Sequence, residues 1–450
     1  MSWLLNIAYL ALLLVLSPWL AYQSWRTGKY RKGWGQKFWG AVPDLPPARH
    51  RVWFHAVSVG EVNLLKPLLQ GIAHVRPDWE CVISTTTDTG FALAKSKYPD
   101  STVFYCPLDF TWAIRRALRN IKPQMLVLTE LELWPNLIRE ANKAGVPLAV
   151  VNARLSEDSY RGYRRLGWLM RSVLRRVDAI ACQNEEYAQR FRDLGVPQKR
   201  VMTTGSIKFD NARTNRQNKQ TSELRKLAGI DASETVFLAG STQSPEEALA
   251  LETYRSLCNT HPDLRLILVP RHPERFDEVA RLLSASGLPW LRRSKLMHGS
   301  ESQHAKAIDR QARDDSLRRK PIILVDTVGE LGGWWGMTQI AYVGGSMGTR
   351  GGQNMIEPAA YGAAVSFGPK TKNFRDVVRM LLAADSARVV CDQEELTAFV
   401  AWCLQHPAEA EAMGGRAREL VLSQQGATQQ TVDVLLQLAA NQDQQTRRAA

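Results

Sequence analysis

The six cysteines, Cys81, Cys106, Cys182, Cys258, Cys391 and Cys403, stand far apart with no CxxC pair among them. That spacing argues against both a paired-cysteine zinc site and a disulfide framework, and it fits a reducing compartment. Interleaved aromatic and basic motifs of the RNP1 kind, a zinc knuckle and a basic heptad region are also missing, so no nucleic acid is expected as a partner. No basic segment precedes the apolar run at residues 4–22 and no small-x-small cleavage site follows it, which argues against a cleaved signal peptide.

What is present begins with that run. Residues 4–22 are apolar apart from Asn6, Ser17 and Pro18, with Trp3, Trp19, Tyr22 and Trp25 toward the ends as interfacial aromatics would stand. About 20 such residues suffice to cross a bilayer. Two readings fit, a single-pass anchor over residues 1–25 or a helix lying in the interface. Arg26, Lys29, Arg31, Lys32 and Lys37 follow directly; for a spanning anchor they place the body in the cytoplasm. The formal charge of +14 calls for acidic partners, an anionic membrane surface or a phosphorylated substrate among them.

A chain of 450 residues with 45% hydrophobic content predicts two globular domains of about 200 residues each. Residues 51–57, 81–85, 125–129, 148–152 and 179–182 read as strands, and 64–73, 111–121, 137–144 and 163–176 as helices between them. This is the pattern of a doubly wound parallel sheet. Residues 211–222 are polar and suit a linker. A second series of strands follows at 235–239, 265–269, 322–325, 340–343, 364–367 and 388–391. The predicted organisation is therefore an anchor at 1–25, a Rossmann-like domain at 26–210, the linker, a second Rossmann-like domain at 223–440, and a frayed tail at 441–450. The charged stretch 292–320 reads as a mobile surface insertion. Two Rossmann-like α/β domains facing each other across a cleft describe the GT-B architecture.

Candidate chemistry sits where strands end. His55-Ala56-Val57-Ser58-Val59-Gly60-Glu61 follows the first strand, and Glu61 falls in the first turn of a helix whose dipole favours a negative charge. A general base and a helix-stabilising carboxylate both fit that position. His55 is better suited to orienting than to proton transfer. Glu130 and Glu132 follow another strand, spaced to project the same way in an extended segment. Lys208 lies in Gly205-Ser206-Ile207-Lys208-Phe209-Asp210, and Arg271, in Pro270-Arg271-His272-Pro273, suits a phosphate. Three Gly-rich or polar segments close the pattern: Asp326 to Leu331 with Gly329 and Glu330, Val343-Gly344-Gly345-Ser346, and Gly351 to Pro358 with Asn354, Met355, Ile356 and Glu357. Glycines let backbone N–H groups approach phosphate, a helix starting near Asn354 favours an anion, and Glu357 suits a pair of ribose hydroxyls.

Taken together, the segments SVGE, ELWPN, NARLS, G-x-I-K-F-D, PRHPER, D-T-x-GEL, GGS and GGxNxxEP resemble the 3-deoxy-D-manno-octulosonic acid (Kdo) transferases of lipopolysaccharide assembly, over nearly the whole chain. The resemblance implies an inverting, metal-independent GT-B enzyme without cofactor. It implies transfer of Kdo from CMP-Kdo to the lipid A precursor, lipid IVA, at the cytoplasmic face of the inner membrane. It implies that Glu61 accepts the acceptor's proton, with Glu130 or Glu132 and Lys208 assisting the transition state. Pro270, Arg271, Gly329, Glu330, Leu331 and residues Asn354, Met355, Ile356 and Glu357 would form the CMP site. Gln353 stands where the family usually has His, and the 292–320 insertion is longer than the family needs. A UDP-sugar-dependent transferase acting on a lipid and a non-catalytic, basic, membrane-tethered binding protein are the alternatives.

Overall fold

The computed structural model describes residues 2–28, 31–48, 50–296 and 320–449. They form two units, one of residues 1–211 with 424–450, the other of residues 212–423.

The first unit is a seven-stranded sheet of β1 (Arg51–His55), β2 (Glu80–Thr85), β3 (Val103–Tyr105), β4 (Met125–Thr129), β5 (Leu148–Ala153), β6 (Ala179–Cys182) and β7 (Val201–Thr203). Their order is β3-β2-β1-β4-β5-β6-β7, and every pairing is parallel. The central strands are buried throughout, as strands covered by helices on both faces must be, which is why they are near-continuous apolar runs. Alternate residues feed two cores. Trp53, Leu126, Leu128 and Val150 face one; Phe54, Val127, Ala149 and Val151 face the other.

The second unit repeats the plan with β8 (Thr235–Thr242), β9 (Leu264–Pro270), β10 (Trp290–Arg292), β11 (Ile322–Leu324), β12 (Ile340–Val343), β13 (Ala364–Phe367) and β14 (Ala387–Val389). The order is β10-β11-β9-β8-β12-β13-β14, again all parallel. Both sheets reverse their winding once, between β1 and β4 and between β8 and β12. In open α/β sheets the crevice beyond the carboxyl ends at such a reversal is where ligands bind.

Four expectations change. Helix Ala427–Ala449 packs on the first sheet, where Ala427, Val432 and Leu435 join its core, so the chain's end does not belong with residues 223–423. That helix continues through the stretch expected to fray, in keeping with the helix-forming Ala, Gln and Arg there. The expected linker is partly helical, since Lys219–Leu227 forms a helix capped by Asn218. The single helix expected over 163–176 is two, Glu157–Arg165 and Gly167–Leu174, broken where Gly167 takes φ 30°. Of the expected insertion at 292–320, residues 297–319 lie outside the described residues.

The amino-terminal helix runs Ser2–Thr27. Among the described residues no helix is long and apolar enough to cross a membrane. Two of its polar residues, Asn6 and Tyr9, are committed to the body of the unit. Asn6 donates to Thr111 Oγ1 at 2.8 Å and accepts from the Thr111 N–H at 3.3 Å. Tyr9 donates to Asp109 at 3.0 Å. Trp3, Leu4, Leu14, Val15 and Trp25 on its other faces stay exposed.

Candidate active site

At the β1/β4 reversal three carboxylates gather. Ser58 caps helix Val59–Val75 by accepting from the Glu61 N–H, and its hydroxyl donates back to Glu61 Oε1 at 2.8 Å. The Ser58 hydroxyl is thus both the helix cap and a donor to the third helical residue. Glu61 Oε2 also accepts from the Val57 N–H at 2.9 Å and from the Thr129 hydroxyl at 2.8 Å. Thr129, the last residue of β4, thus ties Glu61 across the reversal. The Glu61 side chain, in a residue 8% exposed, is held in one place by three donors.

Glu130 follows at once, with φ 54°, a conformation that costs a non-glycine residue of order 1 kcal/mol and clusters at functional sites. Its carboxylate pairs with Lys208 at 3.4 Å. Lys208 reaches it because Asn152, also left-handed at φ 52°, accepts from the Ile207 N–H at 3.1 Å and fixes that loop. Asp210 of the same loop accepts from the N–H groups of Gly426 and Thr428, so it pins the start of the carboxyl-terminal helix.

Glu132 accepts from Trp134 Nε1 at 2.8 Å. Burial pushes its pKa up against that hydrogen bond, and the charges of Glu61 and Glu130 push it further. Glu132 therefore feels the other two carboxylates. His55 is fully buried. Ser84 Oγ accepts from Trp53 Nε1–H at 2.7 Å and lies within hydrogen-bond distance of His55 Nδ1, at 2.9 Å. Burial lowers the His55 pKa to about 4, so at neutral pH the ring is uncharged and packs its edge near Trp134, with ring centroids 5.9 Å apart.

In the second unit Pro270 closes β9 and the Arg271 N–H bonds to Thr242 O at 3.0 Å, leaving the Arg271 side chain exposed. Asn354 donates to Glu357 Oε1 at 3.0 Å and accepts from the Ile356 N–H at 3.1 Å. Burial raises the Glu357 pKa, opposed by the Asn354 bond and by the charges of Arg271 and Arg213. Asn354, Glu357 and Arg271 thus converge, and Arg213 joins them without having been singled out in the sequence. Met355 and Ile356 are buried in the core, so toward a ligand they offer backbone. The helix here, Ile356–Ala360, is a short one. Gly329 takes φ 91°, while the Glu330 carboxylate is engaged by two Arg293 bonds of 2.9 and 2.8 Å and by Thr327 at 2.7 Å. Leu331 opens the helix Leu331–Trp335.

One glycine loop does other work than expected. The N–H groups of Gly345, Ser346 and Met347 point at a carboxylate already in the protein, Glu246, at 2.7, 2.9 and 3.0 Å. Gln243 N–H and the Tyr342 hydroxyl complete its shell at 2.8 and 3.0 Å. Glu246 is 1% exposed. It fills the anion-binding nest at the β8/β12 reversal, so those amides are not free for a phosphate.

Among the described residues, no group of three His, Cys, Asp or Glu side chains is disposed to hold a metal ion.

A family model described as 3-deoxy-D-manno-octulosonic-acid transferase (kdotransferase) matches residues 30–211. The 3-deoxy-D-manno-octulosonic acid transferase of Haemophilus influenzae is 31% identical over 435 residues, 95% of this chain and 97% of that protein. The protein of the same name from Bordetella pertussis is 33% identical over 438 residues, 93% of this chain and 96% of that one. Among solved structures, the UDP-GlcNAc 2-epimerase of Neisseria meningitidis bound to UDP-GlcNAc is similar at a TM-score of 0.56 and 13% identity, covering 86% of this chain and 100% of that one. At that identity the likeness concerns the fold alone.

Proposed function

Because the chain belongs to the 3-deoxy-D-manno-octulosonic acid transferase family, we propose that it transfers Kdo from CMP-Kdo to the lipid A precursor in lipopolysaccharide assembly. The observation that carries this reading beyond family membership is the gathering of Glu61, Glu130 and Glu132 at the β1/β4 reversal, the position at which an open α/β sheet presents catalytic groups. In GT-B terms, the first unit takes the acceptor and the second takes the nucleotide.

Departure of CMP from the donor builds positive charge on the sugar ring and negative charge on the phosphate. Arg271, exposed beside Glu357 and Asn354, neutralises the phosphate, and Glu357 takes ribose hydroxyls. Glu61 removes the proton from the attacking hydroxyl as the new bond forms with inversion. Lys208 and Glu130 stabilise the charges that develop. A second assignment gives the proton to Glu132, favoured by its raised pKa and by the three donors that already occupy Glu61. A base whose pKa lies nearer the working pH accepts a proton more effectively.

The body works at the cytoplasmic face of the inner membrane, with the outward apolar side chains of the amino-terminal helix inserted among lipids. Exposed Trp3, Leu4, Leu14, Val15, Trp25, Trp34 and Trp39 support this, because a patch of that kind marks a membrane or partner surface. Arg31, Lys32 and Lys37 add attraction to anionic headgroups. The test is incubation of the full chain with CMP-Kdo and a tetraacylated lipid A precursor. Mass spectrometry should show the lipid heavier by whole Kdo residues. Transfer from UDP-sugars in place of CMP-Kdo would overturn the reading.

A further inference from the structure

A cavity of about 400 Å³ lies between the amino-terminal helix and the loop after β4, within the size of small-ligand sites. Leu12 and Leu13 form one wall, Leu108 and Phe110 the floor, Leu131 and Leu133 the other wall. Tyr9, Asp109 and Glu132 are polar groups that also reach it, and each has a partner already. Asp109 accepts from the N–H groups of Asn136 and Leu137 at 3.0 and 2.8 Å and from the Tyr9 hydroxyl at 3.0 Å. Glu132 Oε2 is held by Trp134. What the cavity offers is a lining of mainly aliphatic and aromatic side chains, which suits an apolar occupant.

The wall is built into the fold. Asn6 and Tyr9, polar residues in the apolar half of the helix, fasten it to Thr111, Asn136 and Asp109. The same helix bears the exposed apolar side chains, which connects the cavity with a lipid-facing surface. Glu132 belongs both to the lining and to the carboxylate cluster. An occupant must therefore be apolar along its length and attached to a group that reaches Glu61, Glu130 and Glu132.

We propose that this groove holds one acyl chain of the lipid acceptor and so delivers its sugar hydroxyl to the three carboxylates. The assignment rests on the acceptor being an acylated lipid, as the function above has it. It makes the acceptor's chain a determinant of turnover, beyond its attraction to the bilayer.

Two measurements on the full chain in detergent test it. Photolysis with myristic acid carrying a diazirine, followed by peptide mapping, should label residues 131–135 together with Leu12 or Leu13. Labelling restricted to outward positions such as Leu14 and Val15 would overturn the groove. Separately, Leu13→Trp, which fills the cavity, should lower the ratio of kcat/KM for acylated over deacylated acceptor by about tenfold, the scale of a hydrophobic pocket's discrimination. An unchanged ratio with transfer intact removes the groove and leaves the function standing. Labelling at 131–135 in a wild-type chain that transfers Kdo to neither acceptor keeps the groove and removes the function. The labelling needs no variant, so it holds even where Leu13→Trp fails to fold.

Discussion

Glu61 has two occupations that a single substitution separates. Glu61→Gln keeps the size and most of the hydrogen bonding but takes up no proton, so Kdo transfer should fall by about 10²-fold or more, while CMP affinity, set by residues of the second unit, stays normal. A pure capping role gives the reverse, a modest loss of melting temperature and near-normal turnover. Comparing Glu61→Gln with Glu132→Gln on the same assay decides which carboxylate takes the proton. Asp109 supplies a pH signal. Burial pushes its pKa up to about 6 from the ordinary 3.8, so between those values the folded chain binds more protons than the unfolded one. Stability at this site is therefore gained as pH falls from 6 to 4, by about 3 kcal/mol at most. The difference in stability between wild type and Asp109→Asn, followed by denaturant titration from pH 7 to 4, should change by that amount. A flat difference would remove the assignment.

At the level of elements, the loop after β12 depends on the helix after β8. Glu246→Ala strands the N–H groups of Gln243, Gly345, Ser346 and Met347 and the Tyr342 hydroxyl, at about 1–3 kcal/mol for each buried group left unpaired. The second unit should lose its cooperative melt, and Glu246→Gln should fall between this variant and wild type; retention of a wild-type melt by Glu246→Ala would discard the account. Sequence reading could place this loop, since an apolar strand followed by two glycines is a local pattern. It could not see that an internal carboxylate fills the loop, because Glu246 stands in Ser244-Pro245-Glu246-Glu247 as an ordinary helix-start acid. The long central strands were legible for the same local reason, and β4, β6, β12 and β13 lie where the apolar runs put them. The edge strands β3, β7 and β10, of three residues each, were not read from the sequence, whereas β11 and β14, equally short, stood out through their β-branched apolar runs. Asn6 was readable as an interruption of an apolar run and Tyr9 was not, and their partners Thr111 and Asp109 lie about a hundred positions away.

At the level of the whole molecule, the partition of the chain predicts which fragments stand alone. Residues 212–423 form a complete unit and should express as a soluble domain with a cooperative melt. Residues 1–211 lack the helix that packs on β5, β6 and the helix Val59–Val75 and shares a core with Val151, Ala179 and Ile207, so they should aggregate on their own and become soluble when residues 424–450 are supplied as a separate peptide. Solubility of 1–211 without the peptide would show that this cover is dispensable. Removal of residues 1–25 takes away the Asn6 and Tyr9 fastenings and the exposed aromatic side chains. The body should still fold, because both sheets lie beyond it, but flotation with anionic vesicles should fall sharply. Unchanged flotation would place the membrane contact elsewhere.

The return of the last helix to the first sheet also sets an order of events during synthesis. Synthesis delivers the first sheet with one face not yet fully covered, then the second unit, and only after it the helix that completes the cover. Domains generally fold as units while the chain emerges, so the second unit can mature while the first waits, incompletely covered, for the final residues. A nascent chain stalled before residue 424 should therefore be a client for chaperones through its earliest-made half. The cap of Asp210 on Gly426 and Thr428 can form only once those residues have emerged.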